Sequence, residues 1–163
     1  MKKYTLFIIS TLLILYLLTS CSKDYKTYQT NDFSINIPIS FKHYPLIDDT
    51  TELQLVDKDK NIYLVIEKTS IANYFPNIEK TADSIINSAF YYVKDLKTEI
   101  KTSKNDTIYY LNFKEYDTGT EFNWDIIIAK TNKNYLILWL WYIPSAKNEK
   151  LIKQIIKSFE IKN

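Results

Sequence analysis

The chain has 163 residues, 46% of them apolar and 25% charged, with one glycine, one cysteine and no arginine. That composition suits one domain with a real core, and it excludes a disulfide framework and a disordered or low-complexity chain. All 21 basic residues are lysine, and setting aside Lys2 and Lys3 leaves 19 against 19 acidic residues; such a balance lacks the electrostatic footprint and forked donors of nucleic-acid binding, so no nucleic-acid partner is expected.

Met1-Lys2-Lys3 is a basic start, and Leu6 to Leu18 is an almost unbroken apolar run. The run has signal-peptide length and falls short of the ~20 residues a spanning helix prefers. An uncleaved anchor from Tyr4 to Ser20 is the alternative reading. Directly after the run comes Leu18-Thr19-Ser20-Cys21, an aliphatic residue, two small ones and cysteine. This resembles the lipobox of bacterial lipoproteins. The resemblance implies that residues 1–20 are removed and that Cys21 carries S-diacylglycerol and an N-acyl chain. Each buried CH₂ contributes about 0.8 kcal/mol and one acyl chain alone binds marginally, so two or three chains on one residue make a durable anchor. The residue after the cysteine, Ser22, is not the aspartate that signals inner-membrane retention in enteric lipoproteins, and the expected location is the outer membrane of a cell envelope.

Residues 21–32 read as the lipidated cysteine and a polar tether, and residues 33–161 as the globular domain. Phe33 to Ile37 alternates apolar and polar residues, the period of a half-buried strand, with Pro38 at an edge or an end. Glu52 to Asp57 and Ile62 to Lys68 flank Lys58-Asp59-Lys60-Asn61, a hairpin turn. Ile78, Ala82, Ile85, Ile86, Ala89, Val93 and Leu96 recur at helical spacing from a start at Asn77, with Lys94 and Lys97 suited to the negative end of the helix dipole. Four strands are expected next, Thr98 to Lys104, Thr107 to Tyr116, Glu121 to Lys130 and Tyr135 to Ile143. The last of them has no polar face and needs cover on both sides. A final helix runs from Ala146 to Phe159. The predicted fold is α+β: an antiparallel sheet of about six to seven strands with a helix on each face, an α/β/α sandwich.

Asn31-Asp32-Phe33-Ser34-Ile35-Asn36-Ile37-Pro38, the closing Ile155-Ile156-Lys157-Ser158-Phe159-Glu160 and the order of elements between them resemble the PsbP-like domains. That group includes an extrinsic photosystem II subunit, a Ran-binding import factor and many bacterial lipoproteins. The resemblance covers residues 33–161. It implies binding and assembly roles without shared catalysis, and it supplies no site residues.

No catalytic, metal or cofactor site is expected. His43 is the only histidine, which leaves zinc without ligands. A triad would need it with Ser40 and Asp48 or Asp49, and no nucleophile elbow marks any serine. Asp57-x-Asp59-x-Asn61 starts like a calcium loop but has Ile62 where glycine and Lys68 where glutamate belong. Glu121, Asn123 and Asp125 share a strand face and read as a solvated outer surface. Trp139 and Trp141 read as core beneath a helix. Tyr25, Tyr28, Tyr44 and Tyr74, in expected loops, are the candidate binding surface. Asp49-Thr50-Thr51, Asp83-Ser84-Ile85 and Asp106-Thr107-Ile108 resemble the short O-glycosylation motif of Bacteroidetes exported proteins. The resulting expectation is a lipid-anchored, non-catalytic binding or assembly module of the cell envelope with an envelope protein partner. Its rivals are an immunity-type lipoprotein that neutralises a toxin and an envelope hydrolase, the latter requiring a pocket of converging carboxylates.

Overall fold

Runs of β-branched and aromatic residues separated by short polar breaks fold into consecutive antiparallel strands. The computed structural model describes residues 24–45, 50–102, 107–131 and 133–162. The expected signal segment, Cys21, Asp48, Asp49 and the Asn105-Asp106 break lie outside them. In chain order the elements are β1 (Tyr25–Gln29), β2 (Phe33–Pro38), β3 (Lys42–His43), β4 (Thr51–Asp57), β5 (Ile62–Ser70), a 3-10 turn (Ile71–Asn73), α1 (Ile78–Ala89), β6 (Val93–Thr102), β7 (Thr107–Asp117), β8 (Thr120–Lys130), β9 (Asn134–Tyr142), α2 (Ala146–Lys157) and β10 (Glu160–Ile161).

The main sheet has seven strands in the order β3-β4-β5-β9-β8-β7-β6, all antiparallel. The β7–β8 turn has the chemistry such hairpins demand. Thr118 (φ 46°) and Gly119 (φ 86°) are both left-handed between the paired Asp117 and Thr120, which matches the twist of the flanking strands. Asn61, at φ 50°, closes the Lys58–Asn61 turn in the same region.

A second sheet, β1-β2-β10, departs from the expected single-sheet sandwich. β2 is its central strand, with Pro38 at the end, where a missing N–H costs nothing in the ladder. β1 runs through what reads as a tether. Tyr25-Lys26-Thr27-Tyr28-Gln29 has no apolar alternation, and it is a strand because β2 offers it a ladder from Tyr25↔Pro38 to Gln29↔Ser34.

α1 also ends earlier than its apolar spacing suggests. Asn77 Oδ1 accepts from Glu79 N (2.8 Å) and Lys80 N (3.1 Å) as the N-cap, in line with the expected start. The helix stops at Ala89, and Phe90 is extended at φ −129°. Val93, Lys94, Leu96 and Lys97 therefore belong to β6, not to the last turn of a helix. Phe90-Tyr91-Tyr92-Val93 is an aromatic and β-branched run with little helix preference, and from Val93 onward β7 is there to pair with the chain.

Side chains of β8 alternate between two cores. Ile127 and Ala129 join Phe33, Ile35 and Ile37 of β2 and Ile152 and Ile155 of α2. Ile126 and Ile128 join Ile78, Ala82 and Ile85 of α1. In the second core Tyr135 is fully buried, and its hydroxyl donates to the Phe75 carbonyl at 2.6 Å. Thr81 Oγ1 donates to the same carbonyl at 3.0 Å, so the acceptor keeps a partner without the tyrosine. Tyr135→Phe is accordingly expected to cost only about 1 kcal/mol, read as a lower urea midpoint at unchanged slope.

Candidate functional site

The strands of the sheet outrun the helix that packs on them. α1 has 12 residues, about 18 Å of helix, against 11 residues and about 36 Å for β8. Beyond Ala89 that side of the sheet is left with a row of rings standing directly opposite one another on four adjacent strands: Tyr63, Trp141, Trp124 and Phe113. Register places them and stacking holds them. Tyr63 and Trp141 are parallel at 5.1 Å between centroids, Trp141 and Trp124 at 5.0 Å, and Trp124 and Phe113 at 6.2 Å. Phe90, released from the helix, stands edge-on over Phe113 (4.7 Å) and Trp124 (4.8 Å).

Between these rings lies a cavity of about 290 Å³ lined by Val65, Glu67, Ala89, Phe90, Glu115, Trp124, Trp139 and Trp141. The three tryptophans are only half buried. The expectation that Trp139 and Trp141 are core beneath a helix holds in part: Trp139 packs against the core that α1 covers, while Trp141 stands outside it, stacked between Tyr63 and Trp124. Trp139 Nε1 donates to Glu67 Oε2 at 3.0 Å. Burial lifts the Glu115 carboxyl above its usual range, and Asp117 adds to the lift. The nearby Trp124 indole pulls the other way without closing a hydrogen bond of normal geometry. Tyr91 and Tyr92, which follow Phe90, are 94% and 70% exposed. Adjacent large aromatics at that exposure mark a contact surface more often than chance.

The four tyrosines singled out from the sequence do not form one surface. Tyr25 (40% exposed) and the half-buried Tyr28 stand in β1, not in a loop. Tyr28 packs on the first core and meets His43 edge-on at 5.8 Å. Tyr44 is 49% exposed in the chain after β3. Tyr74 packs edge-on against Tyr135 in the second core, where burial and then the charge of Glu67 raise its hydroxyl pKa. Ser40 donates to Asp57 Oδ2 at 2.7 Å, away from any triad.

Asp125 is the other correction. It reads as part of a solvated face, yet burial lifts its carboxyl pKa, with Glu149 adding to the lift and Asn112, Tyr142 and Lys153 opposing it. It lies in a cleft of about 750 Å³ that also contains Asp95, Lys97, Lys114, Asn123, Glu149 and Lys153. Asn112 Nδ2 donates to Oδ1 at 3.0 Å and the Tyr142 hydroxyl to Oδ2 at 3.2 Å. Both oxygens are thereby tied to the sheet.

No family model matches the chain, and no curated protein does. Solved structures do. The cyanobacterial PsbP, CyanoP, from Synechocystis sp. PCC 6803 superposes with a TM-score of 0.64 over 85% of this chain and 92% of its own, at 8% identity. The fold is PsbP-like. The Ran-binding protein Mog1p of Saccharomyces cerevisiae shares this PsbP-like fold with a TM-score of 0.58, over 86% of this chain and 96% of its own, again at 8% identity. A Bacteroides thetaiotaomicron protein matches with a TM-score of 0.56 at 13% identity, over 86% of this chain and 49% of its own. At these identities the likeness concerns the fold. Only register in the sheet reveals the aromatic pocket; in sequence, Trp124, Trp139 and Trp141 show no spacing that separates them from core. The detectable signal was Phe90-Tyr91-Tyr92, three consecutive rings at the end of an amphipathic helix.

Proposed function

We propose that this chain is a lipid-anchored, non-catalytic binding or assembly module of a bacterial cell envelope, held through Cys21 to the outer membrane and engaging an envelope protein through its aromatic face. The observation that carries the binding role is the uncovered pocket of Trp124, Trp139 and Trp141 beside the exposed Tyr91 and Tyr92. Aromatic residues concentrate the binding energy of interfaces, because each offers a large rigid contact at small entropic cost. The fold neighbours lend support, since the yeast one is a Ran-binding protein. The hydrolase reading has one observation behind it, the half-buried Asp125 with its raised carboxyl pKa. A carboxylate held at both oxygens by Asn112 and Tyr142 is better suited to bracing the sheet than to exchanging a proton with substrate.

β1 begins at Tyr25, four residues after Cys21. At about 3.5 Å per residue, a lipidated Cys21 would hold the start of β1 within about 14 Å of the acyl chains. The domain would then lie close against the membrane, not on a long stalk.

The test uses the full chain with its own signal segment, fed a clickable palmitate, beside Cys21→Ser. The wild type is expected to be labelled and to sediment with membranes, and Cys21→Ser to lose both. An unlabelled wild type that still sediments would overturn the lipid anchor. For the binding role, a photo-crosslinker at Tyr91 should give a discrete envelope adduct that Trp141→Ala removes, and an adduct indifferent to that change would refute the aromatic face.

A further inference from the structure

Lysines and acids balance in the chain beyond Lys3, yet α2 carries four lysines and one acid, Glu149. Asn148, Ile152 and Ile155 are buried on its inner side. Lys147, Lys150, Gln154 and Lys157 follow one another at steps of three and four, so they share one stripe, and all four are exposed. Among the described residues, no carboxylate forms an ion pair with Lys147, Lys150 or Lys157. The chain coming from Cys21 enters the domain at this stripe. The Tyr25 hydroxyl donates to Gln154 Oε1 at 3.0 Å, and the hollow beside that bond is lined by Asp24, Lys147 and Lys150. Ile39 N donates to the Asp24 carbonyl at 2.9 Å, which brings Ile39, 56% exposed, to the same end of the domain. A lipidated Cys21 would hold Tyr25 within about 14 Å of the acyl chains. The headgroup layer occupies about 5–7 Å of that reach. Tyr25, and Gln154 bonded to it, would then lie within a Debye length of the phosphates, about 8 Å at physiological salt.

We propose that the outward face of α2 docks on a membrane surface of negatively charged phosphate headgroups, with Lys147, Lys150 and Lys157 as the contacts and Ile39 at the margin. The proposal rests on the reading of Cys21 as the lipid anchor and adds the face that the anchor presents. The ammonium groups meet the phosphates while the lysine stems stay along the helix. Each lysine near an anionic surface strengthens binding about fivefold, and the three together about a hundredfold. An acidic protein would also match the charge, but the tether brings headgroups to this stripe at a fixed short distance. α2 and the aromatic pocket belong to cores on opposite sides of β8, so docking through α2 turns the aromatic face away from the membrane and toward a partner.

The experiment uses the full chain as the expressing cell processes it, reconstituted in vesicles of phosphatidylcholine alone and of equal parts phosphatidylcholine and phosphatidylglycerol. A fluorophore is placed on Ala146→Cys, exposed at the start of α2, or on Asn87→Cys, exposed on α1. With Cys21 acylated, the introduced thiol is the one that reacts. Headgroup-spin-labelled lipid is the quencher. Strong quenching at the Ala146 position is expected with phosphatidylglycerol and weak quenching without it, and the Asn87 position should stay bright in both. Lys147→Gln, Lys150→Gln and Lys157→Gln combined should lower the docked-to-free ratio about a hundredfold, to the level of phosphatidylcholine alone; circular dichroism verifies that this variant folds. Quenching at the Ala146 position that is equal in both vesicles and unmoved by the three substitutions would overturn the docking face and leave the anchor standing. An anchored chain undocked on both vesicles, whose stripe crosslinks in cells to an acidic envelope protein, would assign the lysines to that partner and overturn the membrane face. A chain that carries no palmitate and floats with neither vesicle would overturn the anchor and the docking together.

Discussion

Leu138→Ala lowers the free energy of unfolding by about 2–5 kcal/mol, the range for emptying a fully buried leucine site. Leu138 is fully buried in β9, paired with Ile66 of β5 on one side and Ile127 of β8 on the other. It faces the core shared with β2 and α2, where Phe33, Ile35, Ile152 and Ile155 are also sealed from solvent. Backbone ladders on both flanks and the layer above leave no segment free to collapse into the space a leucine would vacate, so the cavity penalty adds to the lost transfer energy. A domain of this size is stable by about 5–15 kcal/mol, and the change is thus a large fraction of the whole. Urea denaturation monitored by circular dichroism measures it. Leu138→Met, which conserves volume, is expected to cost less than about 1.5 kcal/mol. The exposed Leu96→Ala should remain within about 0.5 kcal/mol of wild type. A Leu138→Ala cost as small as that of Leu96→Ala would mean that β9 is not the centre of the packing.

Asp57→Asn has the second large effect, and it is pH-dependent. Asp57 is buried at the end of β4 and ties the β4–β5 turn to the chain after β2. Its Oδ2 accepts from Ser40 Oγ at 2.7 Å and forms an ion pair with Lys60, and its Oδ1 accepts from Lys60 N at 3.3 Å. Burial pushes the carboxyl up, but the hydrogen bonds from Lys60 and Ser40 and the Lys60 charge together outweigh it and hold the pKa below the usual aspartate value. A group whose folded pKa is depressed stabilises the fold above its unfolded pKa, near 4, and that stability is lost as pH falls through the folded value. Asp57→Asn is therefore expected to cost about 1–3 kcal/mol at pH 7. The gap from wild type should shrink steadily between about pH 5 and pH 2. Urea midpoints at pH 7 and pH 3 test it, and a gap that widens on acidification would contradict this account of the carboxylate.

The elements recovered from sequence were those whose pattern depends on one neighbour. β2 follows from alternation, β5 and β9 from near-continuous apolar runs, and β4, β7 and β8 from the turns that bound them, such as Thr118-Gly119, where left-handed backbone is cheap. Both helix starts follow from local caps, Asn77 and Ser145. β1 was unreadable because its side chains are nearly all exposed; only the ladder offered by β2 makes it a strand. The end of α1 was misjudged because Val93 and Leu96 continue the helical spacing by chance, and the pairing of Val93 with Glu115 across β7 overrides it.

By itself the sequence determined the class of the fold, the lysine-only charge balance, and the short apolar segment ending in Leu18-Thr19-Ser20-Cys21. These are properties of composition and of adjacent residues, and they survive without knowing where any strand lies. Only the tertiary structure decided that a second sheet forms and that Asp125 is half-buried and held by Asn112 and Tyr142. It alone aligned Tyr63, Trp141, Trp124 and Phe113 across four strands, a row that runs from the buried Phe113 out to the half-buried Trp141 and Tyr63. Register and helix length govern those outcomes, and both are settled by pairing between residues far apart in the chain, which no local pattern encodes.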